Sequence, residues 1–337
     1  MRNRTDGNSA EGASEGAAGP RGGRFRPARL AARAAVLATA AYVTYAAMMW
    51  GAQERLIFPR AFDHHPDAGE SPPSGVTRVP LNMADGAEGV AWFSLPETHI
   101  AVATDGAAES LSASATESSI ETPTGARVGA IRHPAVLYFH GNDDLIDTRW
   151  VVAARHRDWG CAVLTPEYRG YGALAGDPSE AALVADGVRW FDWLAAREDI
   201  DPTRIGIHGL SLGGAVAIQV AGKLAERAAA GGGGSAVPQA RWLVIEATLQ
   251  SMDRIAHERY LPAFLLRHHF RNDLVLPRIG KPVLLLHGVH DTLIPVDHAR
   301  QLHAVSATSE FVELDCDHVS WTNEWPRIER FIRAANR

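Results

Sequence analysis

The sequence predicts an α/β protein: a mostly parallel central sheet with helices on both faces and a small cap, behind a single N-terminal membrane helix. Three observations carry that prediction. From residue 134 onward short apolar runs alternate with amphipathic helical stretches, as repeated βα units require. The runs "PAVLYFH" (134–140) and "KPVLLLHG" (281–288) are continuously apolar, the signature of parallel strands buried on both faces. Finally, the pattern G-x-S-x-G falls at a junction between such a strand and a helix, as Gly209-Leu210-Ser211-Leu212-Gly213.

The chain has 337 residues, enough for one large domain with a real core. Hydrophobic residues make up 46% and charged residues 21%, a globular balance, and the net charge of -6 offers no nucleic-acid surface. Lys223 and Lys281 are the only lysines beside many arginines and alanines, a bias associated with GC-rich, bacterial coding. Cys161 and Cys316 are too few and too far apart for a disulfide framework or a thiolate metal site, and read as two small buried or half-buried side chains.

Residues 1–29 are Gly, Ala, Ser, Glu and Arg without apolar periodicity, and read as a disordered basic tail. They contain a second G-x-S-x-G around Ser14, but no strand precedes it and no amphipathic helix follows, so no turn presents that serine. Residues 30–50 read as a transmembrane helix: Ala34 to Trp50 carries no charge, and Leu30 to Trp50 reaches spanning length if Arg33 snorkels. Arg21, Arg24, Arg26, Arg29 and Arg33 precede the run and favour a cytoplasmic amino terminus. A signal anchor of a bacterial inner membrane, with the main domain extracytoplasmic, is the preferred reading. A cleaved signal peptide with Ala38-Thr39-Ala40 as its site and secretion as its consequence, or a soluble packed helix, are the alternatives.

The main domain is placed at 54–337. "VTRVPL" (76–81) and "GVAWFSL" (89–95) flank an Asp85-Gly86 turn and read as an antiparallel pair. Residues 97–130 and 228–240 are Ser-, Ala-, Thr- or Gly-rich and read as flexible insertions. Between them "WVVAARHRDWG" is helical, "CAVLTPEY" a strand, and 179–198 a long amphipathic helix. "RIGIHG" is the strand before Ser211, and "LGGAVAIQVAGKLAERAA" the helix after it. "RWLVIEA", "KPVLLLHG" and "EFVELD" complete the strands. Residues 249–280 read as a small cap whose Tyr260 and Phe264 contact substrate, or as an ordinary surface helix with an apolar core face.

A serine hydroxyl needs a base and an orienting acid. The order Ser, then acid, then His is met by Asp291 in the loop after "VLLLHG" and His318 in the loop after "EFVELD", both at the strand ends where open α/β sheets bind ligands. Glu246, at the end of "WLVIEA", is the main rival acid; Asp297, Asp315, Asp317, His290, His298 and His303 are further rivals. His140-Gly141-Asn142 follows a central strand, where a backbone N–H of this loop pairs with that of Leu212 in an oxyanion hole and His140 and Gly141 border the substrate. No cofactor or metal is expected: His64-His65 and His268-His269 lack a ligand pattern.

The segments "QERLIFPR", "FHGN", "EYRGYG", "GLSLGG", "LLLHGVHDTLIP" and "DHVSW" resemble the α/β-hydrolase superfamily, and more narrowly its membrane-anchored Bem46-like (domain 13/17-like) branch. The resemblance covers residue 54 to the end. It implies an α/β-hydrolase fold, a Ser211–Asp291–His318 triad with Asn142 and Leu212 giving the oxyanion N–H groups, and a serine hydrolase that cleaves carboxylic esters, thioesters or acyl lipids through an acyl-enzyme. It also implies that Tyr168 and Arg169 brace the loops under the site. The sequence departs from the pattern in "HGNDDL", with two acids where small residues are commoner. Two other functions fit the residues: a serine peptidase of the prolyl-oligopeptidase type, and an inactive, membrane-tethered binding module.

Overall fold

The computed structural model describes residues 25–63, 65, 67–96, 132–231, 237–318 and 324–337. The first 24 residues of the basic tail, the 97–130 insertion, residues 232–236 of the second insertion and Val319 to Asn323 lie outside the described residues. The chain divides into two compact units, 1–51 and 52–337.

In the first unit the apolar run is helical, as its unbroken Ala, Leu and Met content dictates. The helix α1, Phe25–Ile57, is longer than the expected 30–50: nothing after Trp50 breaks it, and "AQERLI" continues it to Phe58. Ala28–Ile57 has the length and apolarity to cross a membrane, a test that a signal sequence also passes.

The second unit is built on one eight-stranded sheet of order β1-β2-β4-β3-β5-β6-β7-β8. Its strands are β1 Thr77–Asn82, β2 Glu88–Ser94, β3 His133–Phe139, β4 Ala162–Pro166, β5 Ile200–Leu210, β6 Leu243–Glu246, β7 Val283–Gly288 and β8 Ser309–Leu314. The hairpin β1–β2 is antiparallel and joins β4 antiparallel, while β4, β3 and β5 to β8 run parallel. Parallel strands need crossovers, and helices supply them: α2 Ile146–Asp158, α3 Glu180–Ala195, α4 Leu212–Ala230, α5 Met252–Glu258, α6 Asn272–Ile279 and α7 Asp297–Val305, while α8 Trp325–Ala335 follows the last strand.

Alternation along each strand divides the core. Leu137, Phe139, Ile205, Ile207, Leu243 and Ile245 face the layer holding α3, α4 and α6. Val136, Trp242, Val244, Leu284 and Leu286 face α8. Buried on both faces, these strands have no polar side, which is why they read as continuous apolar runs. Cys161 is buried, Cys316 half-buried, and both are free thiols.

Candidate active site

The glycines around Ser211 show why the elbow has this sequence. A Cβ on Gly209 would collide with the Gly213 backbone, and one on Gly213 with the Phe139 and His140 carbonyl groups. Helix α4 therefore starts in backbone contact with the end of β5 and with the loop after β3, an approach only glycine permits. Ser211 itself has φ 55° and ψ −116°, an unfavourable conformation for a residue with a Cβ. It is held there because its N–H donates to the Glu246 carbonyl at 2.8 Å, while its own carbonyl accepts from Thr248 Oγ1 at 2.8 Å. Leu212, the first residue of α4, has no intrahelical partner for its N–H, and the positive end of the helix lies at the serine.

Asp291 and His318 arrive on two loops that are bonded to each other. Val289 N–H donates to the Leu314 carbonyl at 2.8 Å and His290 N–H to the Cys316 carbonyl at 3.0 Å. Their meeting brings His318 Nδ1 to 2.6 Å from Asp291 Oδ2, and His318 Nε2 to 3.1 Å from Ser211 Oγ. A carboxylate only accepts, so Nδ1 carries the proton and Nε2 is left to accept from the serine hydroxyl. The other Asp291 oxygen accepts the N–H groups of Leu293 at 2.9 Å and Ile294 at 2.8 Å. Burial opposes the charge on Asp291, but hydrogen bonds from His287, His318 and Ile294 outweigh it and hold the carboxyl well below its ordinary range. The chain Ser–His–Asp can thus move a proton from hydroxyl to imidazole while a fixed negative charge faces the ring that receives it.

The rival acids stand elsewhere. Glu246 is buried on the opposite face of the sheet, where its Oε1 lies 3.1 Å from His208 Nε2. Asp297 pairs with Arg300, and the exposed Asp315 with His290. His298 is buried against Glu258 and Gln250, and His303 meets Ser309.

The loop after β3 borders the serine: a Cβ on Gly141 would sit 3.8 Å from Ser211 Cβ. One of its expected features needs correction. His140 does not border substrate; it is fully buried and turned to Glu167 at 2.9 Å, because its strand end points inward. The acids that distinguish "HGNDDL" also have structural partners. Asp144 folds back to accept the Gly141 N–H at 3.0 Å and pairs with Arg149 at 2.7 Å. Asp143 is exposed and pairs with Arg60, which also donates to its carbonyl at 2.9 Å. Among the described residues, Asn142 N–H and Leu212 N–H have no protein acceptor.

The bracing expected of "EYRGYG" is present. Tyr168 Oη donates to the His140 carbonyl at 2.8 Å, and Arg169 forks onto Asp186 at 2.7 and 2.6 Å while reaching Asp85 at 2.6 Å. Sequence reasoning missed Tyr171, whose Oη donates to the Asn142 carbonyl at 3.2 Å, and Glu167, which ties three groups together. The signal for Glu167 was there: an acid directly after a buried strand rarely lacks a purpose.

Tyr260 and Phe264, the expected substrate contacts of the cap, lie at the surface. Each is 83% exposed, on the short segment between α5 and α6. Helix α6 is not part of a cap but lies in the layer on α4: Asn272 takes a bond from Gln219 at 2.9 Å, and Val275 fills the space above Gly222.

A sheet of this order, with a strained serine between β5 and α4 and its histidine and aspartate beyond β8 and β7, defines an α/β hydrolase. A model described as the prolyl oligopeptidase family matches residues 148–308. The chain is 32% identical over 199 residues to an uncharacterized protein of Mycobacterium tuberculosis H37Rv, covering 56% of this chain and 66% of that one. It is 30% identical over 202 residues to the rat lysophosphatidylserine lipase ABHD12, covering 53% and 47%. It therefore spans about half to two thirds of the length of the curated relatives it matches. Among solved structures, 2,6-dihydroxy-pseudo-oxynicotine hydrolase superposes with TM-score 0.55 at 18% identity over 77% of this chain and 68% of that one. An acetyl xylan esterase from Paenibacillus sp. R4 gives 0.55 at 17% over 79% and 86%. The chain belongs to the α/β-hydrolase superfamily.

Proposed function

We propose that the protein is a serine hydrolase of carboxylic esters, with acyl lipids as its substrate class. The observation that carries this reading is the hydrogen-bonded run from Ser211 Oγ through His318 to Asp291, at 3.1 and 2.6 Å. His318 takes the Ser211 proton as Oγ attacks the ester carbonyl, and Asp291 stabilises the imidazolium that forms. The developing oxyanion is met by the N–H groups of Asn142 and Leu212. His318 then protonates the departing alcohol, and water releases the acyl group by the same path in reverse. The named activities of the ABHD12 relatives support a monoacyl phospholipid as the first lipid to try. The helix Ala28–Ile57 supports membrane anchoring, which would bring the domain to such substrates.

A second reading, peptide hydrolysis, is favoured by the prolyl-oligopeptidase match. Labelling of the full chain with a fluorescent fluorophosphonate, beside Ser211→Ala, tests the shared chemistry. Labelling lost in the variant is expected; an unlabelled, folded wild type sinks both readings and leaves a binding module. A panel of p-nitrophenyl esters, lysophospholipids and prolyl peptides then separates the two.

A further inference from the structure

Glu167 follows β4 directly and is almost wholly buried. Its Oε1 accepts the Tyr168 N–H at 3.0 Å and lies 2.9 Å from His140 Nε2, while its Oε2 accepts the Ile146 N–H at 2.9 Å. The other ring nitrogen of His140, Nδ1, lies 2.9 Å from the Gly141 carbonyl oxygen. A carbonyl has no proton to give, and the Glu167 carboxylate, which accepts backbone N–H groups on both oxygens, faces Nε2 as a second acceptor. Both ring nitrogens of His140 therefore donate, and the ring is an imidazolium. Burial alone pushes such a ring down, but the Glu167 charge, its hydrogen bond and the Gly141 carbonyl outweigh that and raise His140 above the ordinary histidine value.

The Gly141 carbonyl belongs to the same peptide as the Asn142 N–H. In a trans peptide the two point in opposite directions, so anchoring the oxygen on the buried imidazolium turns the N–H away from it. The neighbouring donor, Gly141 N–H, is already taken by Asp144. A cation on the carbonyl also draws electron density through the amide and makes its N–H a stronger donor.

We propose that Glu167 and His140 form a buried charged pair that positions and polarises the Gly141–Asn142 peptide as an oxyanion donor. This rests on the reading of Ser211 as nucleophile. Neither residue touches substrate; both act through Asn142. The groups facing His140 from the surrounding segments are Glu167, Tyr168 at 4.3 Å and Tyr171 at 6.1 Å between ring centres, and Asp144 with its partner Arg149. None of the others removes the charge: the tyrosines are pushed up by burial and stay neutral, and Asp144 adds to the field favouring the cation.

The test uses the full chain in lipid nanodiscs, with Glu167→Gln and His140→Asn, counting active sites by fluorophosphonate titration. With a short p-nitrophenyl ester at about pH 8, each variant is expected to lose about ten- to a hundredfold in kcat per active site, with KM nearly unchanged. Wild-type kcat falls on the alkaline side as His140 loses its proton. In Glu167→Gln burial is unopposed, so that fall moves to lower pH; in His140→Asn, which keeps an N–H donor but cannot titrate, it disappears. A merely structural pair would lower the melting temperature and the active fraction with the pH profile per site unchanged, and that result overturns the proposal. Independently of turnover, the ¹⁵N spectrum of labelled histidine, followed as pH rises through the ordinary histidine range, should show one ring that keeps both protons after an ordinary imidazole has lost one, a signal absent in His140→Asn. A neutral ring overturns the proposal outright. A charged ring on a chain without Ser211-dependent hydrolysis overturns the oxyanion assignment along with the function itself.

Discussion

The backbone around Ser211 is under strain, and the surrounding contacts determine which substitutions it tolerates. Gly213→Ala places a methyl against two backbone carbonyls that no rotamer change can move. It should cost about 3 kcal/mol or more, read as a melting temperature lowered by several degrees, with fluorophosphonate labelling lost. Gly280 offers the contrast: its φ is +62° but no atom lies within 4 Å of its Cβ position, so Gly280→Ala should cost only about 1 kcal/mol and leave labelling intact. Equal losses from the two would mean that steric approach at the elbow is not what glycine serves. Asp291→Asn keeps the shape of the acid but removes the charge facing His318, and its amide can present N–H to Nδ1 and favour the wrong tautomer. A fall of about 10⁴-fold in kcat with little change in KM is expected by stopped assays on titrated sites; a fall under about tenfold would point to another acid.

At the scale of elements, strands and their order of chemistry were legible because each leaves a local pattern. Ser211, Asp291 and His318 were singled out by the elbow pattern, the order serine, acid, histidine, and the rule that ligands bind where parallel strands end, and β5, β7 and β8 do end at or just before them. Three boundaries were not legible. Helix α2 begins four residues ahead of "WVVAARH" because Thr148 bonds back to Leu145 and caps it. Strand β5 starts at Ile200, since its pairing with β3 shifts register between His133 and Ala135 and carries the strand through Pro202. The cap was drawn too large because α6 is amphipathic, and an apolar stripe does not say which layer it meets. The role of His140 was out of reach for the same reason: its partner Glu167 lies 27 residues away on the next strand, and no periodicity reports that pairing. The segment between α5 and α6 is tied down from α3, where Glu180 accepts the N–H groups of His269 at 2.7 Å and Phe270 at 2.9 Å. Glu180→Ala leaves two backbone donors without an acceptor, and should raise the rate of limited proteolysis between residues 259 and 271 about tenfold or more. Unchanged cleavage there would show that the segment is held by its other contacts.

For the whole molecule, buried histidines help shape how stability depends on pH, and His156 and His140 do so with opposite sign. His156 lies against His208 at 3.1 Å, and burial with that neighbour pushes it down to about 3. In the unfolded chain it titrates near 6.5, so between those values the unfolded state binds one more proton and stability falls as pH falls. By pH 5 that amounts to about 2 kcal/mol. His140 has the opposite sign. Its folded value lies above 6.5, so its contribution is complete below that pH and is lost as pH rises through the folded value. Their two slopes meet in the ordinary histidine range, with His156 contributing to the acid side and His140 to the alkaline side. Melting curves of the full chain across this range should show both slopes, and His156→Gln should flatten the acid limb by one proton while leaving the alkaline limb alone. An acid limb of unchanged slope in that variant would assign the proton to carboxylates instead, Asp291 first among them, whose stabilising charge is present above the ordinary carboxyl range and lost only well below it. The two histidines also separate stability from chemistry: His156 bonds only to His208 and the Ala153 carbonyl, so its replacement should move the melting curve without moving the pH profile of kcat, whereas replacing His140 should move both.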